Sequence, residues 1–252
     1  MRIDFHSHVK ISKKSAFHPH YFEQMIEEAE INGLDAICLT EHFNTIRFFD
    51  VYDYLDEHYQ YVNDYYDVNG FKVFPGMEVD VKEGGHTLVI GQREVIRSIR
   101  KQLEPYTVKG HFIGIDQLNN WVKANDCLFI GAHFYRESTP LVHLTDQQLQ
   151  YFDALDLNGK DLYSYDMVSY QQKLTDVANR LDLPIVGGSD THHFLQYGVI
   201  YNTVSDVVTI EALKEAVMNH LVNVTIDPSL SVRVKAATIA KQYLKRLVEV
   251  TA

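Results

Sequence analysis

The feature that most constrains this chain is a recurrence: short apolar runs, too short for helices, end repeatedly in a histidine or a carboxylate. They are R-I-D-F-H-S-H (Arg2 to His8), D-A-I-C-L-T-E-H (Asp35 to His42), F-K-V-F-P-G-M-E-V-D (Phe71 to Asp80), H-T-L-V-I-G (His86 to Gly91), C-L-F-I-G-A-H (Cys127 to His133) and L-P-I-V-G-G-S-D-T-H-H (Leu183 to His193). Phe152 to Leu157 reads as a further run. Runs of this length and composition are strand patterns. Helical patterns separate them, and that alternation predicts an α/β fold with a mostly parallel sheet, closed or open. In a barrel of this kind, reactive groups sit at the C-terminal ends of several strands.

The helical patterns are explicit. Pro19 suits the first position of a helix running to about Ile31, where Asn32-Gly33 is a natural stop. Phe48, Tyr52, Leu55, Tyr59, Val62 and Tyr66 recur at spacings of three and four, which predicts one long amphipathic helix with a solvated acidic face including Asp50, Asp53, Glu57 and Asp64. Helices are also predicted over 94–103 and 116–124. A further one buries Met167, Tyr170, Leu174, Val177 and Leu181, and another is capped near Thr209. A short strand at 223–226 precedes a basic helix over about 230–248. Its apolar side (Val232, Ala236, Ile239, Tyr243) suits packing on the barrel or on another subunit. No linker-like segment divides the chain, so 1–252 reads as a single domain with 229–252 a C-terminal helix packed on it.

A chain of 252 residues with 46% hydrophobic content can bury a sizeable core. Its net charge of -11 argues against nonspecific binding to a nucleic-acid backbone, so nucleic acid is an unlikely partner by charge. Both cysteines, Cys38 and Cys127, lie in apolar runs, which predicts buried reduced thiols and no disulfide framework. Without a basic n-region followed by an apolar h-region, or a run of 18 apolar residues, the chain is expected to be cytoplasmic, with no membrane partner. Oligomeric state is not legible.

Thirteen histidines are the compositional outlier. On a strand, residues i and i+2 share a face roughly 6 to 7 Å apart, so His6 and His8 can aim two imidazoles at one metal ion. An isolated His-x-His is more often structural. Here Asp190 and His192 repeat the spacing, and Glu41/His42, Glu78 and His133 also follow apolar runs. Imidazole and carboxylate donors without thiolates suit Zn, Mn or Fe.

In order, H-S-H, T-E-H, G-M-E, G-H-T-L-V-I-G, G-A-H and G-S-D-T-H resemble the motifs of the polymerase and histidinol phosphatase (PHP) superfamily of metal-dependent phosphoesterases, over roughly residues 1 to 200. The resemblance implies a distorted seven-stranded (β/α) TIM-like barrel with two or three divalent ions in its mouth. It implies that His6, His8 and Asp190 hold one ion, that Glu78 bridges to a second completed by His86 and His133, and that His42 and His192 belong to a third site. Glu78, Asp190 and His192 are the implied catalytic residues. The implied reaction is hydrolysis of a small phosphorylated metabolite, such as histidinol phosphate or a nucleoside phosphate, with metal-bound hydroxide attacking phosphorus in line. Arg136 resembles a family arginine placed to grip phosphate, and Lys10 is expected to line the same mouth. One departure stands out. The family often supplies another His or Asp soon after the first motif, where this chain has Val9, Lys10, Lys13 and Lys14; His18 and His20 are the nearest substitutes.

Two other functions compete. An amidohydrolase-type metal hydrolase also opens with His-x-His, but it usually wants a bridging lysine where this chain has Glu78. A non-catalytic metal-binding regulatory domain has the missing early ligand as its only support.

Overall fold

The structure is a computed structural model that describes residues 1–250, with side chains described for 1–247. Residues 251–252 of the expected domain lie outside the described residues. In chain order the elements are β1 (Arg2–Ser7), α1 (Pro19–Ile31), β2 (Ala36–Leu39), α2 (Phe49–His58), β3 (Gln60–Val62), β4 (Tyr65–Val68), β5 (Phe71–Asp80) and β6 (His86–Ile90). They continue as α3 (Arg93–Gln102), α4 (Ile115–Ala124), β7 (Leu128–Ala132), α5 (Asp146–Leu149), β8 (Ala154–Asn158), α6 (Gly159–Ser164), α7 (Met167–Leu181) and β9 (Ile185–Gly188). The last are β10 (Ile200–Thr203), α8 (Ile210–Met218), β11 (Asn223–Ile226) and α9 (Leu230–Val250).

The strands lie in the order β11-β10-β1-β2-β5-β6-β7-β8-β9, with β3 and β4 attached beside β5. The sheet then closes on itself. Beyond β9, Thr191 bridges Ser7 in parallel, the Asp190 amide donates to the His6 carbonyl at 2.7 Å, and the His8 amide donates to the Thr191 carbonyl at 3.0 Å. The ring therefore runs β1-β2-β5-β6-β7-β8-β9, the seven-stranded barrel that was expected, with β3, β4, β10 and β11 outside it.

The expectation of a mostly parallel sheet is corrected, because β6 runs antiparallel to both β5 and β7. The β5–β6 connection is only residues 81–85, far too short for a parallel crossover, and Gly84 and Gly85 turn it at φ of +91° and +99°. At the other end of β1, β10 wedges between β1 and β9. There the Asn202 side chain accepts from the Gly187 amide and donates to the carbonyls of Ile3 and Gly187, all within 2.9 Å. One amide side chain thus satisfies backbone groups that closure leaves open.

The long helix expected over 48–66 is also corrected. It ends at His58, and the rest forms the β3–β4 hairpin, in which Val62 faces Tyr65 across the turn residues Asn63 and Asp64. Asn63 sits at φ 53°, the left-handed conformation that a tight hairpin demands. Tyrosines and valines favour strands as readily as they fit a helical stripe. Asp64 is buried, accepting from the Ile210 amide at 2.9 Å and the Gln92 side chain at 3.0 Å.

Strand alternation places the site. On β2, β5, β6, β7 and β8 the even-numbered residues Cys38, Phe74, Leu88, Ile130 and Ala154 share one core with α8. Odd-numbered Ile37, Val73, Val89, Phe129 and Leu155 pack instead with residues of α1 to α4 and α7. Continuing along the even face past the apolar residues reaches His42, Glu78, His86 and Asp156. No helix among the described residues is long and apolar enough to cross a membrane. Both cysteines are buried and free.

Candidate metal centre

Glu78 is the hub. Its Oε1 lies 2.5 Å from Nδ1 of His86, 3.1 Å from Nε2 of His133 and 3.6 Å from Nε2 of His6. Its Oε2 lies 2.7 Å from Nδ1 of His42 and 3.3 Å from Nε2 of His8. Across the ring, Oδ1 of Asp190 is 3.5 Å from Nε2 of His8 and 3.8 Å from Nδ1 of His192. The structure thus brings together His6, His8, His42, Glu78, His86, His133, Asp190 and His192, every one of them buried. Two reach the cluster only through unusual backbone: His133, at φ 34°, breaks the even-face pattern, and Asp190 is at φ 52°. Such conformations cost of order 1–3 kcal/mol for non-glycine residues and cluster at functional sites.

The donor set fits divalent cations. Three groups have their ligand atoms within 4.8 Å of one another: His6, His8 and Asp190; His42, Glu78 and His86; His8, His42 and His192. Nδ1 of His8, Nδ1 of His42 and Oε2 of Glu78 are buried without a hydrogen-bond partner, even though the latter two are 2.7 Å apart. Polar atoms left this way cost about 1–3 kcal/mol each. Their convergence on shared space, rather than on aligned donors, is how ligands surround an ion. The third group forms from His8, just past β1, with His42 and His192, and takes no residue from 9–20. His18 and His20 are exposed at the start of α1, and His58, His111, His143 and His220 are exposed as well.

Burial opposes charge throughout, and the neighbours decide each outcome. Burial would lift the Glu78 carboxyl, but His86, His42 and His6 outweigh it and hold it well below the usual range. Asp190 is likewise held low by Lys160 and Arg136. For His8 and His86 burial disfavours the cation, yet the surrounding carboxylates prevail and hold both at about 9. At His42 burial wins, pushing it down to about 4. His133 and His192 also fall well below the ordinary value, through burial and then nearby positive charge.

A supporting layer was not legible beforehand. Asp156, from the middle of β8, places Oδ2 3.0 Å from Nδ1 of His6 and accepts from the Asn158 side chain at 3.0 Å. Asp80 lies 2.9 Å from Nε2 of His86 and accepts from Lys13 at 2.9 Å. Glu41 accepts the amides of Lys10 and His42, both at 3.1 Å, fixing the backbone beside His8. An acid between two leucines of a buried strand is a visible anomaly at Asp156, but its partner lies on β1.

The two expected substrate contacts are placed differently. The Lys10 ammonium donates to the Ile46 carbonyl at 2.5 Å, and the residue is buried there. Arg136 commits its three nitrogens inward: Nε to Asp161 at 2.8 Å, Nη2 to Asn158 at 2.9 Å, and Nη1 to Oδ2 of Asp190 at 2.9 Å. Lys160 stands at the mouth instead, 2.7 Å from Oδ1 of Asp190 and 3.3 Å from Nδ1 of His192. No sequence signal marked it. His193 is turned aside, its Nδ1 accepting the Leu195 amide at 3.3 Å.

Comparison with known proteins follows the same outline. No curated protein matches the chain in sequence. Its fold is similar to that of PsfC from Pseudomonas syringae, at TM-score 0.79 and 20% identity, covering 96% of this chain and 98% of that one. It is also similar to the lesion-specific endonuclease PfuEndoQ from Pyrococcus furiosus, at TM-score 0.63 and 20% identity, covering 87% of this chain and 56% of that one. A two-domain protein from Bacteroides vulgatus containing a predicted PHP-like metal-dependent phosphoesterase is similar at TM-score 0.60 and 18% identity, covering 94% and 69%. At these identities the likeness is one of fold. The model of the PHP domain family matches residues 4–197, and the chain belongs to that family of metal-dependent phosphoesterases.

Proposed function

We propose that the cluster is the hydrolytic centre for a phosphomonoester of a small metabolite, and that it holds two or three divalent ions, Zn, Mn or Fe. His6, His8 and Asp190 hold one ion, Glu78 bridges to a second completed by His86 and His133, and His42 and His192 serve a third. The observation that carries this is Glu78, whose two oxygens face different histidines. Ions there supply positive charge to a phosphoryl oxygen and lower the pKa of a bound water toward about 7.

The chain's own residues orient that chemistry. Asp156 keeps the His6 proton on Nδ1, which leaves the Nε2 lone pair toward Glu78 and Asp190. Asp80 does the same from the opposite nitrogen of His86. Arg136 acts through Asp190 and not on the substrate, because its nitrogens are already engaged. Lys160 brings a cation to the mouth, where an entering phosphate meets it. The cleft that opens beside His192 has a volume of about 400 Å³, suited to a small molecule.

One observation favours a second reading, a phosphodiester. Another cleft, of about 630 Å³, opens beside Asp80 and carries Lys13, Lys82 and Lys109, so a substrate could extend to both sides of the cluster. Inorganic phosphate release from a panel of phosphomonoesters separates the two. Protein reconstituted with Mn or Zn should release phosphate, and chelator-treated protein and His8→Ala should not. Hydrolysis of bis(4-nitrophenyl) phosphate with no monoester turnover would replace the first reading by the second.

A further inference from the structure

The 400 Å³ cleft lies between α6, the 3-10 turn Phe194–Gln196 and α9. Lys160 comes from α6, while Lys241 and Lys245 come from α9; Val234, Ala237 and Tyr163 supply apolar wall, and His192 joins the cleft to the cluster. No carboxylate is among its lining residues. That is unexpected in a chain where Asp and Glu number 34 against 23 Lys and Arg. Such a cleft concentrates positive potential where the rest of the molecule repels anions.

The seating of α9 makes this placement firm. Arg233 donates through Nε to the Leu195 carbonyl at 3.0 Å, and through Nη2 to Oδ1 of Asn32 at 2.7 Å and the Tyr197 carbonyl at 2.6 Å. Leu230, Val234 and Ala237 are buried beneath the helix, whereas Val232, Ala236, Ile239 and Tyr243, the side expected to pack, are exposed. Positions 230, 234, 237 and 241 recur at spacings of four, three and four, so Lys241 continues the buried face. It is only partly exposed. Burial, and then the charge of Lys160, hold its ammonium down at about 7. Lys160 gives one of its three N–H groups to Oδ1 of Asp190 at 2.7 Å, and the cleft offers Lys241 no carboxylate among its lining residues.

We propose that Lys241, next to Lys160 in this cleft, forms a second anion subsite, which binds a phosphate or carboxylate group of the substrate beyond the scissile phosphate that Lys160 meets, and so selects monoesters that carry two anionic groups. The choice of monoester rests on the function proposed above. The subsite itself rests on α9, which lies beyond residues 4–197 matched by the family.

The test compares glycerol 1,3-bisphosphate, 3-phosphoglycerate and glycerol 3-phosphate, whose second group is a phosphate, a carboxylate or a neutral hydroxyl. In Lys241→Ala the preference in kcat/KM for the two doubly anionic esters over glycerol 3-phosphate should fall about tenfold, the scale of one charge-assisted hydrogen bond. An unchanged preference overturns the proposal. The ester with the larger loss tells whether phosphate or carboxylate is the natural group. A second measurement needs no turnover: calorimetric titration of inorganic phosphate into chelator-treated protein. Lys241→Ala and Lys241→Glu should weaken binding about tenfold, and Lys241→Arg should retain it. Indifference to Lys241→Glu overturns the subsite even if monoesters are hydrolysed. Lys241-dependent phosphate binding without any monoester turnover would support the subsite and overturn the phosphomonoesterase reading.

Discussion

Oδ2 of Asp156 lies 3.0 Å from Nδ1 of His6, both side chains fully buried, although the residues are 150 positions apart. The pair decides which nitrogen of His6 is free to bind an ion. Asp156→Asn keeps the shape, but an amide nitrogen turned toward Nδ1 would move the proton to Nε2. Metal affinity should fall about 10- to 100-fold, with little change in the melting temperature of chelator-treated protein. Competition against a chromophoric chelator measures this, and an unchanged affinity removes Asp156 from the orienting role.

Ions that bind only the folded state stabilise it by mass action. At a hundredfold excess over Kd the gain is about 2.7 kcal/mol, or roughly 5 to 10 °C in Tm for a chain of this size. Calorimetric scans with and without Zn or Mn check it. His8→Ala should lose most of the increment.

Raised pKa values at His8 and His86 carry a sign. With folded values at about 9 against 6.5, each contributes stability to the metal-free protein that is fully present below pH 6.5 and vanishes as pH rises through 9. His42, lowered to about 4, changes only below that window. An ion takes the imidazole after its proton has left, so metal binding strengthens over the same interval. Metal-free Tm should fall between pH 6.5 and 9 while the increment from Zn grows. An increment independent of pH would contradict the assignment of these two residues.

Arg136→Ala leaves Asp161 buried without its cation and Asp190 with Lys160 alone. Breaking such a pair costs about 3 kcal/mol, and Asp190 loses the group that orients it. Urea unfolding should show the loss, and metal affinity should drop with it. A change in KM alone would return Arg136 to the substrate.

Gly188 lies where β9 crosses β1. A Cβ there would sit 2.4 Å from Cβ of His6 and 2.7 Å from Oδ1 of Asp156. Gly188→Ala should cost about 1–3 kcal/mol and lower metal affinity, because the atoms that must move are the ligand and its support. Denaturation and metal titration on the same variant test both.

How much was legible depended on whether a residue's partner was local. His6, His8, Glu78 and Asp190 could be picked out because a strand end projects its side chains predictably. The hairpin of β3 and β4 was hidden because Tyr59, Val62 and Tyr66 fit a helical spacing as well as a strand, and only docking on β5 separates the two. Lys160 carries no local signature, and Lys10 looked available until Ile46 came within reach of its ammonium.

The sequence by itself determined the strand and helix alternation and the histidines and carboxylates that follow strand ends, because those follow from periodicity along one chain segment; the closed barrel was implied by the family resemblance, since periodicity fits a closed or an open sheet alike. Tertiary structure alone decided that β6 runs against its neighbours, that Asp156 rather than solvent meets His6, and that Arg136 turns inward while Lys160 and Lys241 face the cleft. The physical reason is that each of these is settled by closure of the ring. Burial makes an unpaired charge costly, and for His6, Asp190 and Arg136 the partner that offsets the cost lies on an element far away in sequence.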